Sequence, residues 1–160
     1  MLGVGYGWGR HDAVSPFGIG VFLHAGYTAL GGAYVGIMGD AYSGESREQA
    51  DGHTDRAMIG LGAELGYDLR LSERWTLRFS LLNVAGALET IQCRQLAPPP
   101  SQQTCSEPAY GWRYGVGPSL QAVYLWEKAA FFSELRQTSC LGSSGAIFSA
   151  TAVIGFGSHF

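Results

Sequence analysis

Charge is scarce in this chain. Of 160 residues, 10 are Lys or Arg and 13 are Asp or Glu, 14% in all, where soluble domains average about 25%. A soluble protein of this length must cover its exterior with groups that water solvates, and few are available here. The net charge is -3 and the sequence holds no basic cluster, so nucleic-acid binding has no electrostatic footing. Long apolar runs are also missing. No stretch approaches the roughly 18 uninterrupted apolar residues that a membrane-spanning helix needs. No export signal opens the chain: Met1-Leu2 runs straight into an alternating pattern. An exported chain of this kind requires that its signal be removed from, or lie outside, these residues.

Cysteine is rare, with three in the chain. Cys93 and Cys105 bracket a polar segment that contains Pro98-Pro99-Pro100. In an oxidising compartment a disulfide between them would pin that loop. Cys140 stands apart, in another loop. No histidine neighbours the cysteines, and His11, Asp12, His53 and Asp55 belong to two different loops. The sequence therefore assigns no metal and no cofactor. The run Gly3-Val4-Gly5-Tyr6-Gly7 precedes no helical pattern, so its glycines belong to a strand rather than a nucleotide loop.

What is present is a period of two. From Arg56 to Arg70, Ala57, Ile59, Leu61, Ala63, Leu65, Tyr67 and Leu69 fall on one face, opposite a face of Gly, Glu, Asp and Arg broken only by Met58. A helix would scatter these apolar residues around its circumference, whereas a strand separates them. The same split recurs along the chain and predicts strands over 2–10, 17–28, 33–43, 56–70, 75–90, 110–126, 129–139 and 146–160. Short turns fall at Ala29–Gly32, Leu71–Arg74 and Glu127-Lys128. Longer loops fall at His11–Pro16, Gly44–Asp55, Ile91–Ala109 and Cys140–Gly145. Pro118 inside a strand, and the doublets Leu81-Leu82 and Phe131-Phe132, predict a bulge or a slip of phase.

Alternation suits a soluble barrel as well as a membrane barrel, and three features choose between them. The polar face is built mostly from Gly, Ser and Thr, too small to clothe a water-facing wall but suited to a narrow interior. Aromatics gather at strand ends. Tyr27, Tyr34, Tyr67, Trp75, Tyr124 and Trp126 flank the short turns. Trp8, Phe17, Tyr42, Tyr110, Trp112 and Phe148 flank the long loops. Two aromatic girdles around an aliphatic middle match two membrane interfaces. Finally, the last strand carries Ile154, Phe156 and Phe160 on one face and ends on the aromatic.

On these features the chain resembles the small OmpA/OmpX-type bacterial outer-membrane barrels, across nearly its whole length and by pattern rather than by a single motif. The resemblance implies an all-β fold, a closed antiparallel up-and-down transmembrane barrel of about eight strands, with residues 1–160 as one domain. It also implies that the last strand, through Ile154, Phe156 and Phe160, is read by the barrel-assembly machinery. The implied surroundings are outer-membrane lipids and lipopolysaccharide. The implied role is a non-enzymatic one, with loops offered to an extracellular protein.

Charges on the inward face complete the expectation. Glu64, Arg78, Arg113, Glu134 and Arg136 share the polar face of their strands, with Asp40, Asp68 and Arg70 nearer the ends. Unpaired charges in a narrow interior are costly, so these should form a lumen network. Some barrels of this size modify lipopolysaccharide with a Ser–His pair. Here His11, His24 and His53 are followed two positions on by Ala13, Gly26 and Asp55, so that motif is absent and no catalytic residue is assigned. His24 reads as a polar filler. A narrow ion path and a lipid-modifying enzyme remain the alternative readings.

A membrane barrel stays folded in detergent until boiled. The chain should therefore migrate differently on a detergent gel before and after boiling. Identical mobility, together with solubility in plain buffer, would refute the barrel reading.

Overall fold

A computed structural model describes residues 1–10, 18–44, 52–95, 103–142 and 145–158. They form strands β1 (Leu2–Arg10), β2 (Gly18–Thr28), β3 (Ala33–Gly44), β4 (Gly52–Arg70), β5 (Trp75–Gln95), β6 (Gln103–Cys105), β7 (Ala109–Trp126), β8 (Ala129–Gly142) and β9 (Gly145–Ser158). All pairings are antiparallel. β1 pairs with both β2 and β9, and β4 pairs with both β3 and β5, so every strand but the three-residue β6 has at least two neighbours and the sheet closes as an eight-stranded barrel, with β6 added to one end of β5.

The register shows why the barrel is tilted. Followed from Leu2 across successive strands, it passes Leu23, Gly39, Leu61, Ala85, Tyr114, Leu141 and Ala146. Ala146 lies two positions beyond Phe148, the partner of Arg10. One circuit therefore climbs about ten residues along β1, the shear that tilts strands in a small closed barrel.

Tight turns close one rim. After β2, Gly31 and Gly32 take φ of +100° and +93°, and the Gly32 N–H donates to the Ala29 carbonyl at 3.0 Å. Glycine holds that left-handed backbone without a Cβ penalty. In the β4–β5 turn the Ser72 hydroxyl accepts the Trp75 N–H at 3.1 Å.

Outward positions are apolar along the wall: Ile19, Val21 and Leu23 on β2, Ile59, Leu61 and Leu65 on β4, Leu120 on β7, Ile154 and Phe156 on β9 are all exposed. Tyr27, Tyr67, Trp75, Trp126 and Phe131 stand exposed toward the short-turn rim, and Tyr110, Trp112 and Tyr114 toward the opposite one. Two residues expected in these girdles are not there. Tyr34 and Tyr42 are buried in the lumen, because they share the parity of Asp40 on β3 and so face inward with it.

Other expectations need correcting. The expected loops at 44–55, 91–109 and 140–145 are partly strand. β4 begins at Gly52, β5 runs to Gln95, β6 adds three residues, and β8 and β9 reach Gly142 and Gly145. Beyond the membrane both faces of a strand meet water, so the apolar alternation that marks a strand stops before the hydrogen bonding does. The expected slips of phase are also absent. The β4–β5, β5–β7 and β8–β9 registers run without a break through Leu81-Leu82 and Phe131-Phe132. Leu82 and Phe132 simply point inward and are buried. The lumen therefore has an apolar core of its own, around Phe22, Tyr42, Met58, Leu88, Val123, Phe132 and Val153.

Glycines make the close strand approach possible. A Cβ on Gly86 would run into the Ile59 carbonyl of the neighbouring strand, whereas one on Gly39 would find only ordinary contacts, the nearest at 3.5 Å. Gly86→Val should destabilise the barrel by about 1–3 kcal/mol, read as a lower urea midpoint for unfolding from lipid vesicles. Gly39→Ala should leave the midpoint nearly unchanged.

Candidate functional site

The inward charges are arranged in tiers from the short-turn rim upward. In the lowest tier Asp68 and Arg78 are direct cross-strand partners. Arg78 grips Asp68 with two hydrogen bonds, Nε to Oδ1 at 2.6 Å and Nη2 to Oδ2 at 2.8 Å. Such a forked pair fixes the guanidinium in direction as well as place. Its third nitrogen donates to Gln121 at 3.2 Å, and its plane lies 3.4 Å from the centre of the Tyr34 ring. Thr28 donates to the same carboxylate at 2.7 Å.

The middle tier centres on His24. Its Nδ1 is 3.2 Å from Glu64, and its Nε2 lies 3.2 Å from Glu134 and 3.0 Å from Nη2 of Arg136. The ring's roles follow its protonation: with a proton on Nδ1 it donates to Glu64, and Nε2 either accepts from Arg136 or, protonated, donates to Glu134. Ser80 donates to Glu64 at 2.6 Å and Ser119 to Glu134 at 2.7 Å. Arg136 reaches both Glu134 oxygens, at 3.1 and 2.9 Å, and stacks over Phe22 at 4.5 Å. Phe132 meets the His24 ring edge to face. Five strands thus converge on one imidazole and two carboxylates, all fully buried.

In the upper tier Arg113 on β7 reaches across the lumen to Asp40 on β3, with Nη2 2.5 Å from Oδ1. Gly60 on β4 leaves the room they use: a Cβ there would collide with both side chains. Beside them Tyr42 and Thr151 share a hydrogen bond at 3.1 Å.

Glu64, Arg78, Arg113, Glu134 and Arg136 are therefore all inside the barrel, and Asp40 and Asp68 join them as partners. Arg70 is exposed and donates to the Ser72 carbonyl at 3.3 Å. Sequence reasoning missed the position of His24 at the centre and the parts played by Tyr34, Ser80, Ser119 and Gln121. Parity on each strand marks them as inward, but only the shear brings β2, β4 and β8 level at this point. What the arrangement does chemically is hold charge in place. Aromatic and arginine side chains pack against it, Phe22 and Phe132 beside His24 and Arg136, and Tyr34 against Arg78.

A second feature lies at the long-loop rim. β4 rises past the end of β3, whose Gly44 pairs with Arg56, and β5 rises past Ala109 of β7. β6 adds to the raised end of β5, and Cys93 and Cys105, register partners there, form a disulfide. The Gln92 carbonyl accepts the Ser106 N–H at 2.8 Å. The result is a raised three-strand tab, stapled at its edge; residues 96–102, between β5 and β6 in the sequence, lie outside the described residues. His11, Asp12 and Phe160 also lie outside them. Ile154 and Phe156 face outward on β9, level with Val4 and Leu2 of β1.

No protein-family model matches the chain, and no curated sequence does. Solved structures do. Ail, the attachment invasion locus protein of Yersinia pestis, covers 99% of this chain and is itself covered to 95%, with a TM-score of 0.59 at 14% identity. Ail has also been solved in complex with the heparin analogue sucrose octasulfate (TM-score 0.56, 14% identity, 99% of this chain and 95% of that one). Neisserial surface protein A matches over 96% of this chain and 92% of its own, with a TM-score of 0.54 at 13% identity.

Breaking a buried pair strands its partner. Arg136→Met takes the arginine from Glu134, leaving it only Ser119 and His24, and should destabilise the barrel by about 3–5 kcal/mol in urea unfolding from vesicles. Replacing both members, Arg136→Met with Glu134→Leu, should recover part of that loss. Equal midpoints for wild type and Arg136→Met would show that the network contributes nothing.

Closed by its first and last strands, packed with paired charges and matched over nearly its full length by Ail and Neisserial surface protein A, the chain has the fold of those two proteins, a small closed eight-stranded antiparallel β-barrel.

Proposed function

We propose that this is a non-enzymatic integral protein of the bacterial outer membrane that presents its raised β4–β5–β6 tab to an extracellular protein, in adhesion or surface display. The observation that carries the reading is the tab itself. Strands of 19 and 21 residues are much longer than the roughly 9–11 needed to span a bilayer, and they are β4 and β5. The Cys93–Cys105 disulfide and the β5–β6 pairing staple the described end of this tab. A scaffolded loop of that kind is where binding residues collect. The relatives in fold point the same way, one being an attachment protein and the other a surface protein.

Charge selects among partners. Ail was solved with a polyanion, but this chain has a net charge of -3 and no basic cluster, so a protein surface suits it better than a sulfated polysaccharide. Lipids and lipopolysaccharide surround the wall. The assembly machinery would receive the chain through Ile154, Phe156 and Phe160 of the last strand, after removal of an export signal. The filled lumen argues against a conduit, and the immobilised Ser and His side chains argue against acyl-chain chemistry.

Cells displaying the protein should bind to at least one of a panel of immobilised extracellular-matrix proteins. Deleting residues 96–102, with the cysteines kept, should abolish that binding while the barrel still shifts on a gel when boiled. Binding that survives the deletion would refute the loop's role. Lipopolysaccharide mass should be the same with and without the protein, and planar bilayers should stay silent. A mass shift or a steady current would overturn the non-enzymatic, closed-barrel reading.

A further inference from the structure

The lipid-facing wall is apolar on β1, β2 and β4, but β8 departs from the rule. Ser133, Gln137 and Ser139 all face outward and are exposed. Of these Gln137 is the most demanding, because a side-chain amide has two donors and an acceptor to satisfy. The other outward amide on this side, Asn83, donates to the Tyr114 hydroxyl at 3.0 Å. Gln137 has no side-chain partner among the described residues. It stands six residues above Phe131 of the lower girdle, a height of about 15 Å on a tilted strand. That places it well inside an apolar band about 25 Å tall.

The hydrogen-bond ladder is interrupted at the same point, although the strands stay in contact there, a Cβ on Gly117 being barred by the Gln137 carbonyl. β7 and β8 keep one register throughout, yet the pairs that would join Gly117 to Thr138 and Pro118 to Gln137 are missing. Pro118 has no N–H to give, so the Gln137 carbonyl loses its ladder donor. The outward-facing neighbours in these rows are small or apolar: Ala150 opposite Gln137 and Ala152 opposite Leu135, both on β9. Lipid chains offer no hydrogen bonds, and headgroups do not reach this depth.

We infer that the β8 face around Gln137 is the contact through which two copies of this chain pair within the bilayer. An amide is self-complementary, so across a twofold axis each Gln137 donates to the other and accepts from it. The patch carries no formal charge, and copies meeting there do not repel. On the β9 side Ala150 and Ala152 leave room for a second wall, while Leu135, Leu120 and Val116 offer it apolar contact. The inference rests on the membrane barrel and is independent of the adhesive role.

The test uses the full chain in phospholipid vesicles, with Cys140→Ala so that the introduced cysteine alone reports cross-linking. Oxidation should cross-link Gln137→Cys into dimers and leave Ile37→Cys, on the far wall, largely monomeric. Energy transfer between copies labelled in their loops should show that Gln137→Leu lowers the association constant about tenfold, the scale of one or two hydrogen bonds in lipid. Gln137→Ala serves as a second variant, and the shift on boiling reports that each is folded. Equal cross-linking at positions 37 and 137, an association unchanged in folded Gln137→Leu and Gln137→Ala, or a wild type that stays monomeric at high protein-to-lipid ratio would each overturn the inference.

Discussion

The rest of the structure depends on one constraint: hydrocarbon offers no hydrogen bonds, so the backbone must satisfy itself. A sheet can do this only by having no edges, and here β1 meets β9 while β4 meets β5. Closure with eight strands makes the barrel narrow. Narrowness brings glycines to the points where strands and side chains approach, as at Gly86 against Ile59 and Gly60 beside the Asp40–Arg113 pair. Antiparallel closure also sends alternate residues to lipid and to lumen, which is why so few charges serve the whole chain.

The lumen answers a different demand. It is too narrow for bulk water and too polar to be a simple oily core. It is filled by two materials in alternation: aromatic and aliphatic side chains around Phe22, Phe132 and Leu88, and ion pairs whose members come from different strands. Buried pairs are weak evidence for stability in themselves, because desolvation offsets much of the attraction. Their geometry is demanding, however. Arg113 meets Asp40, and His24 meets both Glu64 and Glu134, at only one shear. The network thus favours one register over its neighbours.

The wall departs from its own rules in two places, and those places carry the proposals. At the long-loop rim β4 and β5 continue past the membrane into a stapled tab. In the membrane Pro118 interrupts the ladder opposite Gln137, whose amide faces lipid. Departures from local consistency tend to mark sites of function. Both features lie on the side of the barrel built from β4, β5, β7 and β8.

Much of the fold was legible in single residues. The alternation from Ala57 to Leu69 separates lipid face from lumen, and parity alone assigns Glu64, Arg78, Arg113, Glu134 and Arg136 to the interior. Parity also places Tyr34 and Tyr42 inside, but their nearness to strand ends made them look like girdle residues. The doublets Leu81-Leu82 and Phe131-Phe132 looked like slips of phase because an apolar residue facing a polar lumen was not expected. The lumen, in fact, contains apolar layers. Strand ends above the membrane were not legible, since water bathes both faces there and no alternation is required. The sequence by itself determined the period and, through parity, the facing of side chains along each strand, because these follow from local chemistry repeated every second residue. Only the tertiary structure decided who meets whom across the lumen, since that depends on shear. Shear is a property of the closed circuit of eight strands and is written in no one of them.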